Sequence, residues 1–295
     1  MTKTAMITLC GRPNVGKSTL TNALVGEKIA IVSSKPQTTR NRITGIVNRG
    51  GCQLVLMDTP GFHKARTKLG DYMVNVVKES IPDVDLVLLL VEPIANVGTQ
   101  ETALLERIKQ SGCPCILVIN KIDTVEKETL LAVIAAYSAV FDFAAVIPIS
   151  AMRHDGTETL LREMERFAQP GPALFPEDMD TDQPDRQVCA ELVREKLLRC
   201  LDREIPHGTA VEVTRFTERD NGIIDLDVTI YCEKASHKGI IIGKNGAMLK
   251  KIGEAARKDI ERFMGTQVFL QTWVKVKENW RDSDVLLKNF GYGDK

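Results

Sequence analysis

The chain has no net charge: 39 Lys and Arg balance 39 Asp and Glu. No global field announces a nucleic-acid partner, so the local distribution of charge has to be read instead. It also lacks an even set of cysteines. The seven (Cys10, Cys52, Cys113, Cys115, Cys189, Cys200 and Cys232) sit mostly in apolar runs, which argues against a disulfide framework and for a reducing cytosol. Cys113-Pro-Cys115 has no second His or Cys pair with which to close a zinc site. No apolar run approaches the roughly 20 residues of a membrane span. No cleavable signal, internal repeat, low-complexity tract or amphipathic membrane helix is visible, and a cytoplasmic location is expected.

What is there fits a soluble two-domain chain. Its 295 residues exceed one ordinary core, and 43% apolar with 26% charged residues is a common globular balance. Short apolar runs alternate with helical patterns up to about residue 168. Ala5–Cys10, Gln53–Met57, Leu86–Val91, Cys115–Ile119 and Val146–Ile149 read as buried strands. The expected fold class is α/β, a mostly parallel sheet with helices on both faces, over residues 1–170. Residues 171–185 carry several prolines and five acids without a basic residue, and read as an extended, solvated linker. A smaller α+β domain is expected over 186–295. It would run from a helix at Val188–Leu201 through strands Thr209–Arg219 and Ile223–Glu233, joined at Asp220-Asn221-Gly222, to a helix Gly246–Met264 and a strand Val268–Val276.

Gly11-Arg12-Pro13-Asn14-Val15-Gly16-Lys17-Ser18, followed by Thr19, matches G-x-x-x-x-G-K-[ST] between a strand and a helix. Such a loop turns its N–H groups, and the positive end of the next helix, toward a phosphate chain. Lys17 would reach the β- and γ-phosphates and Ser18 would ligate Mg²⁺. Asp58-Thr59-Pro60-Gly61 closes a neighbouring strand, with Asp58 placed to hold Mg²⁺ through water and Gly61 to sense the γ-phosphate. The polar stretch between them contains Thr38 and Thr39, and Thr39 is the candidate to complete the Mg²⁺ shell. Lys17, Thr39 and Gly61 would support charge in the transition state; no catalytic base can be named.

Asn120-Lys121-Ile122-Asp123 selects guanine over adenine. The Asp123 carboxylate can accept two hydrogens from a guanine edge, whereas adenine would leave it unpaired in a desolvated site. Asn120 would tie this loop to the phosphate loop, and the Lys121 stem would cover one ring face. Ser150-Ala151 would place a backbone N–H against the guanine oxygen. In this order and spacing the signals resemble the translation-factor-related family of GTPases, over roughly residues 1–170. Where Ras-like relatives carry glutamine after the D-x-x-G glycine, this chain has Phe62, which argues against a Ras-type way of orienting water. Related GTPases with asparagine in the phosphate loop bind K⁺ there, so the resemblance adds K⁺ on Asn14 as a candidate cofactor beside Mg²⁺.

Whole-chain neutrality hides a basic stretch near the C-terminal end. Lys238-Gly-Ile-Ile241-Ile242-Gly243-Lys244-Asn245-Gly246, with Lys250 beyond, presents two glycines and cations where a helix ends and another begins. A nucleic-acid backbone can approach such a turn, and Ile240, Ile241 and Ile242 would floor unstacked bases. The segment resembles a type II KH domain. A GTPase domain followed by one KH domain is similar to the Era-type family of bacterial GTPases. That resemblance implies GTP and GDP as ligands. It further implies binding to small-subunit (16S) ribosomal RNA, action in assembly of the 30S subunit, and peripheral contact with the inner membrane; DNA is not an expected partner. Two alternatives stay open: an RNA-binding scaffold whose hydrolysis is incidental, and another RNA-modification-related GTPase. Trp273, Trp280, Phe290 and Tyr292 could stack on bases; core packing is the expectation for Trp273, and the others are given no role.

Overall fold

A computed structural model describes residues 2–62, 65 and 67–292. The elements are β1 (Lys3–Cys10), α1 (Lys17–Val25), β2 (Ile43–Arg49), β3 (Cys52–Asp58), α2 (Lys68–Glu79), β4 (Leu86–Val91), α3 (Thr99–Ser111), β5 (Cys115–Ile119), α4 (Lys127–Ser138), β6 (Ala145–Pro148), α5 (Thr157–Glu165) and β7 (Gln169–Pro170). They continue with α6 (Asp185–Cys200), β8 (Thr209–Glu218), β9 (Ile224–Cys232), α7 (Ala235–Ile242), α8 (Ala247–Met264), β10 (Val268–Val276) and α9 (Asp284–Asn289). The chain divides into two compact units. One is Met1–Ala30, Thr39–Ala65 and Met73–Asp182; the other is Ile31–Thr38, Arg66–Tyr72 and Gln183–Lys295.

In the first unit the sheet order is β2-β3-β1-β4-β5-β6, with β7 pairing the start of β1. Pairing is parallel from β3 to β6, as expected, and antiparallel between β2 and β3. The period-2 geometry of a strand splits each apolar run between two cores. Leu86, Leu88 and Leu90 of β4 join Ile7, Leu9 and Leu56 on one face. Val87, Leu89 and Val91 join Leu104, Ile108 and Leu117 on the other. Each such side chain removed from water stabilises the fold by roughly 1.5–3 kcal/mol.

β2 is not among the expected strands. Its sequence, ITGIVNR, mixes Thr, Gly and Asn with its apolar residues and offers no run to detect. Residues 171–182 also differ from the expected free linker. Leu174 and Phe175 N–H donate to Gln53 Oε1 (2.7 and 3.0 Å), Gln53 Nε2 donates to the Phe175 carbonyl (2.9 Å), and Ile46 N–H donates to the Asp180 carbonyl (2.9 Å). The stretch is a strap along β2, because that strand presents backbone groups that need partners.

The second unit has the order α-β-β-α-α-β, with sheet order β10-β9-β8; β8 and β9 are antiparallel, β9 and β10 parallel. Its core joins Leu192 and Leu197 of α6, Leu226 and Val228 of β9, and Ile252 and Ile260 of α8. Ile31, ahead of Thr38, is buried in that same core. The Val32 N–H donates to Glu195 Oε1 (3.1 Å), Arg199 donates to the Val32 carbonyl (3.2 Å), and Lys35 and Arg194 donate to the Leu201 and Thr38 carbonyls. Among the described residues, no helix is long and apolar enough to cross a membrane.

Candidate functional site

The loop from β1 to α1 places Gly16 and Asn14 in left-handed conformations, φ +98° and +66°. Lys17 is buried, and its Nζ donates to the Gly11 and Arg12 carbonyls (3.2 and 3.1 Å). Burial lowers its pKa, which Asp58 and Cys10 push back up. Ser18 Oγ lies 2.6 Å from Asp58 Oδ2 and 2.8 Å from Thr39 Oγ1. Three oxygens from α1, β3 and the loop before β2 thus converge, as expected for Ser18, Asp58 and Thr39. Asp58 is fully buried, and its Oδ1 has no hydrogen-bond partner among the described residues. Burial pushes its carboxyl up to about 6, against the opposing pull of Lys17 and the Ser18 hydrogen bond. An orphaned buried oxygen within a set of hard oxygen donors fits Mg²⁺.

Gly61 sits where no side chain would fit: a Cβ there would lie 2.6 Å from the Pro13 Cα. This close approach brings the β3 loop against the phosphate loop, and the Phe62 N–H donates to the Gly11 carbonyl (3.1 Å). The Phe62 ring packs on the apolar cluster around β4 and β5 and offers no group to orient water.

The residues expected to select guanine also meet. A cavity of about 190 Å³ is lined by Gly16, Thr19, Asn120, Lys121, Asp123, Thr124, Ser150 and Met152. Asn120 Nδ2 donates to the Val15 carbonyl (2.8 Å), which is the expected tie to the phosphate loop. Asp123 accepts from Ser150 Oγ (2.7 Å), and this bond, helped by Arg153 and Lys121, holds its carboxyl below the usual range. Lys121 is positioned by Glu92, 2.5 Å from its Nζ.

Four of the expected site residues have partners within the chain. The Thr59 hydroxyl is buried and donates to the Leu9 carbonyl (2.7 Å), which holds the end of β3 to β1. The Thr38 hydroxyl donates to the Lys35 carbonyl (2.6 Å); Thr39 alone of the pair meets Ser18. The Ala151 N–H donates to Asn120 Oδ1 (3.0 Å). The Arg12 guanidinium is ion-paired with Glu101, a buried carboxylate at the first turn of α3. That partner, along with Glu92, escapes a reading of the sequence, because no local spacing links residues so far apart in the chain.

In the second unit α7 ends at Gly243, φ +72°, and α8 begins after Gly246, φ +77°. A Cβ on Gly243 would strike Met248 at 2.7 Å, whereas Gly246 faces open space. Lys244, Asn245 and Lys250 are exposed, and Lys238 is half-buried. Ile241 is fully buried in the core, not part of an apolar floor, since the helical turn aims it inward; Ile242 is half-buried and Ile240 exposed. Trp273, expected in the core, is 57% exposed, and Trp280 is fully buried.

A phosphate loop, a convergent oxygen trio and a guanine-type pocket in one unit, with a G-x-x-G turn in an α-β-β-α-α-β unit, define a P-loop GTPase carrying a type II KH domain. Known proteins agree. Residues 6–121 match the 50S ribosome-binding GTPase family and residues 204–281 the KH domain family. GTPase Era of Ruminiclostridium cellulolyticum is 54% identical over 290 residues, covering 98% of this chain and 97% of its own. GTPase Era of Clostridium botulinum is 50% identical over the full length of both chains. A crystal structure of Era in complex with MgGDPNP and nucleotides 1506–1542 of 16S ribosomal RNA superposes with a TM-score of 0.96 at 34% identity, covering 100% of both chains. A single-residue variant of Aquifex aeolicus Era bound to GDP·AlF4⁻ gives 0.95 at 34%, covering 99% of this chain and 100% of that one. The chain belongs to the Era family of GTPases.

Proposed function

We propose that this protein binds GTP with Mg²⁺ at the Gly11–Ser18 loop, hydrolyses it to GDP, and binds the 3′ region of small-subunit ribosomal RNA through the loop at Lys244, acting in 30S assembly. The observation that carries the reading is the meeting of Ser18, Thr39 and Asp58 oxygens around a carboxylate whose second oxygen has no partner among the described residues. Mg²⁺ would be held by Ser18 and Thr39, with Asp58 acting through water, and would neutralise charge on the β- and γ-phosphates. Lys17 would exchange its two carbonyl acceptors for phosphate oxygens. Asp123 would accept the guanine ring N–H and exocyclic amine, while Ser150 and Arg153 keep it ionised.

The solved relative with MgGDPNP and a 16S RNA segment supports both ligands. The exposed Lys244 and Asn245, in the turn ahead of α8, would supply donors for a phosphate backbone. K⁺ beside the phosphates rests on Asn14, which is exposed in the loop; basal turnover is then faster in K⁺ than in Na⁺ at matched ionic strength. Peripheral contact with the inner membrane rests on the resemblance alone and is tested by co-flotation with anionic vesicles.

The test is affinity for a 16S fragment of nucleotides 1506–1542 with a GTP analogue, with GDP and without nucleotide, beside a competition of GTP with ATP. Tightest RNA binding with the analogue and a strong preference for GTP are expected. Equal binding of ATP would overturn the guanine pocket. RNA affinity indifferent to nucleotide would instead favour a scaffold with incidental hydrolysis.

A further inference from the structure

The outer face of the second unit's sheet carries two aromatic rings that the loop at Lys244 does not use. On β10, Val268 and Val274 turn toward the helices, so the alternating residues Phe269, Gln271 and Trp273 turn away from them. Phe269 is 51% and Trp273 57% exposed. Four positions apart on one strand, they stand about 13 Å from each other. One half of this face is already covered. The Phe290 ring lies 4.8 Å from Tyr231 and 5.5 Å from Trp280, whose Nε1 donates to the Gly208 carbonyl. The half bearing Phe269 and Trp273 has no such cover among the described residues.

Its polar surroundings favour nucleic acid over a protein partner. The two rings are separated by polar Gln271 and form no continuous apolar patch of the kind that docks protein. The Arg219 guanidinium lies over the Phe269 ring at 5.5 Å from its centroid. Arg215 and Arg219 both pair with Asp225, which is 9% exposed beneath them, so guanidinium groups face outward there. Asp227 lies opposite Arg215 in the register, and Glu212 is engaged by the Tyr231 hydroxyl at 2.8 Å. β10 is the edge strand, and both α7 and α8, which flank the Gly243–Gly246 loop, pack against its inner face, so an RNA strand leaving that loop would reach the rings by crossing this edge. A KH turn clamps about four nucleotides, far fewer than the RNA held by the solved relative.

We propose that Trp273 and Phe269 form a stacking platform for unpaired bases of the RNA strand that continues from the Lys244 loop over the edge of β10. Base stacking on such rings tolerates any sequence, because every base presents a π-face. The platform rests on the proposed RNA binding and extends it from a four-nucleotide clamp to a longer track.

The chain's two tryptophans make the test direct, since one is fully buried and the other exposed. The full-length protein with GTP analogue is titrated with the 1506–1542 fragment, reading tryptophan emission and the anisotropy of labelled RNA together. Emission is expected to be quenched as anisotropy rises, and Trp273→Ala is expected to weaken affinity by about tenfold or more, with Phe269→Ala acting in the same direction. An unchanged thermal midpoint shows that each variant is folded. If anisotropy reports tight binding while emission stays constant and Trp273→Ala binds equally well, the platform is overturned and the loop's RNA binding stands. A Trp273→Ala variant that binds RNA normally but no longer associates with purified 30S subunits also overturns it, in favour of a protein contact. If the wild-type protein shows no anisotropy change, the RNA reading fails and the platform with it.

Discussion

Asp58 shows how a single buried group sets a pH dependence. Its carboxyl is pushed up to about 6, so between its ordinary value and about pH 6 the folded state without a cation holds more protons than the unfolded state. This group's contribution to stability therefore falls as pH rises through that window. Mg²⁺ requires the ionised form, so cation binding releases a proton below about pH 6 and reverses the trend. Mg²⁺-dependent nucleotide affinity should fall about tenfold per pH unit below about 6, and Asp58→Asn should flatten the profile, as isothermal titration across roughly pH 5–7 would show. A wild-type profile that matches the variant's would mean that this carboxylate does not govern cation binding. At position 123 the proposed base selection rests on the acceptor pattern. Asp123→Asn replaces one acceptor with a donor, so GTP affinity should drop by about tenfold or more while xanthosine triphosphate gains, in a competition assay. The loop motifs that hold these residues are legible in sequence because their chemistry is local. The partners of Thr59 and Ala151 are not legible for the same reason: a motif names a residue type, but only tertiary structure says that Leu9 and Asn120 accept their hydrogen bonds.

Strands β4 and β5 can be read to the residue, since a strand buried on both faces is an uninterrupted apolar run. β10 is harder. Its sequence VFLQTWVKV is apolar on both faces at several positions, so composition alone suggests that Trp273 is core. The period of two resolves it: Val268, Leu270, Val274 and Val276 share the inner face, and Trp273 must then lie opposite. The strap of residues 174–181 is illegible because its partner, Gln53, looks like any strand residue. Gln53 is 1% exposed and serves the backbone of residues 174 and 175 with both ends of its amide. Gln53→Leu should leave those part-buried groups without this partner, at a cost of about 1–3 kcal/mol. The readouts are a lower thermal midpoint and new proteolytic cleavage within 171–182. Wild-type resistance to protease in that variant would mean that the strap is held by the β2 contacts alone.

At the scale of the molecule, the peptide bond between Thr38 and Thr39 crosses from one compact unit to the other. Thr39 meets Ser18 at the proposed cation site, while the eight residues before it are fastened to α6 and its C-terminal end. A rearrangement of Thr39 on loss of the γ-phosphate would pull directly on that fastened segment, a shorter route than the strap that leads into α6. The sequence places a switch threonine here but does not show where the loop before it is anchored, since Ile31 reads as any apolar residue until the core of the second unit surrounds it. Lys35 and Arg199 are partly exposed and make bonds to carbonyls of the opposite segment, so replacing both with alanine loosens the anchor without emptying the core. Coupling between two ligand sites is commonly on the order of 5–150-fold. The Lys35→Ala/Arg199→Ala protein should bind GTP analogue and GDP within about threefold of wild type, yet lose most of the difference in RNA affinity between the two nucleotide states. Retention of the wild-type ratio would show that the signal travels by the strap and α6, and Gln53→Leu would then be the variant that abolishes it.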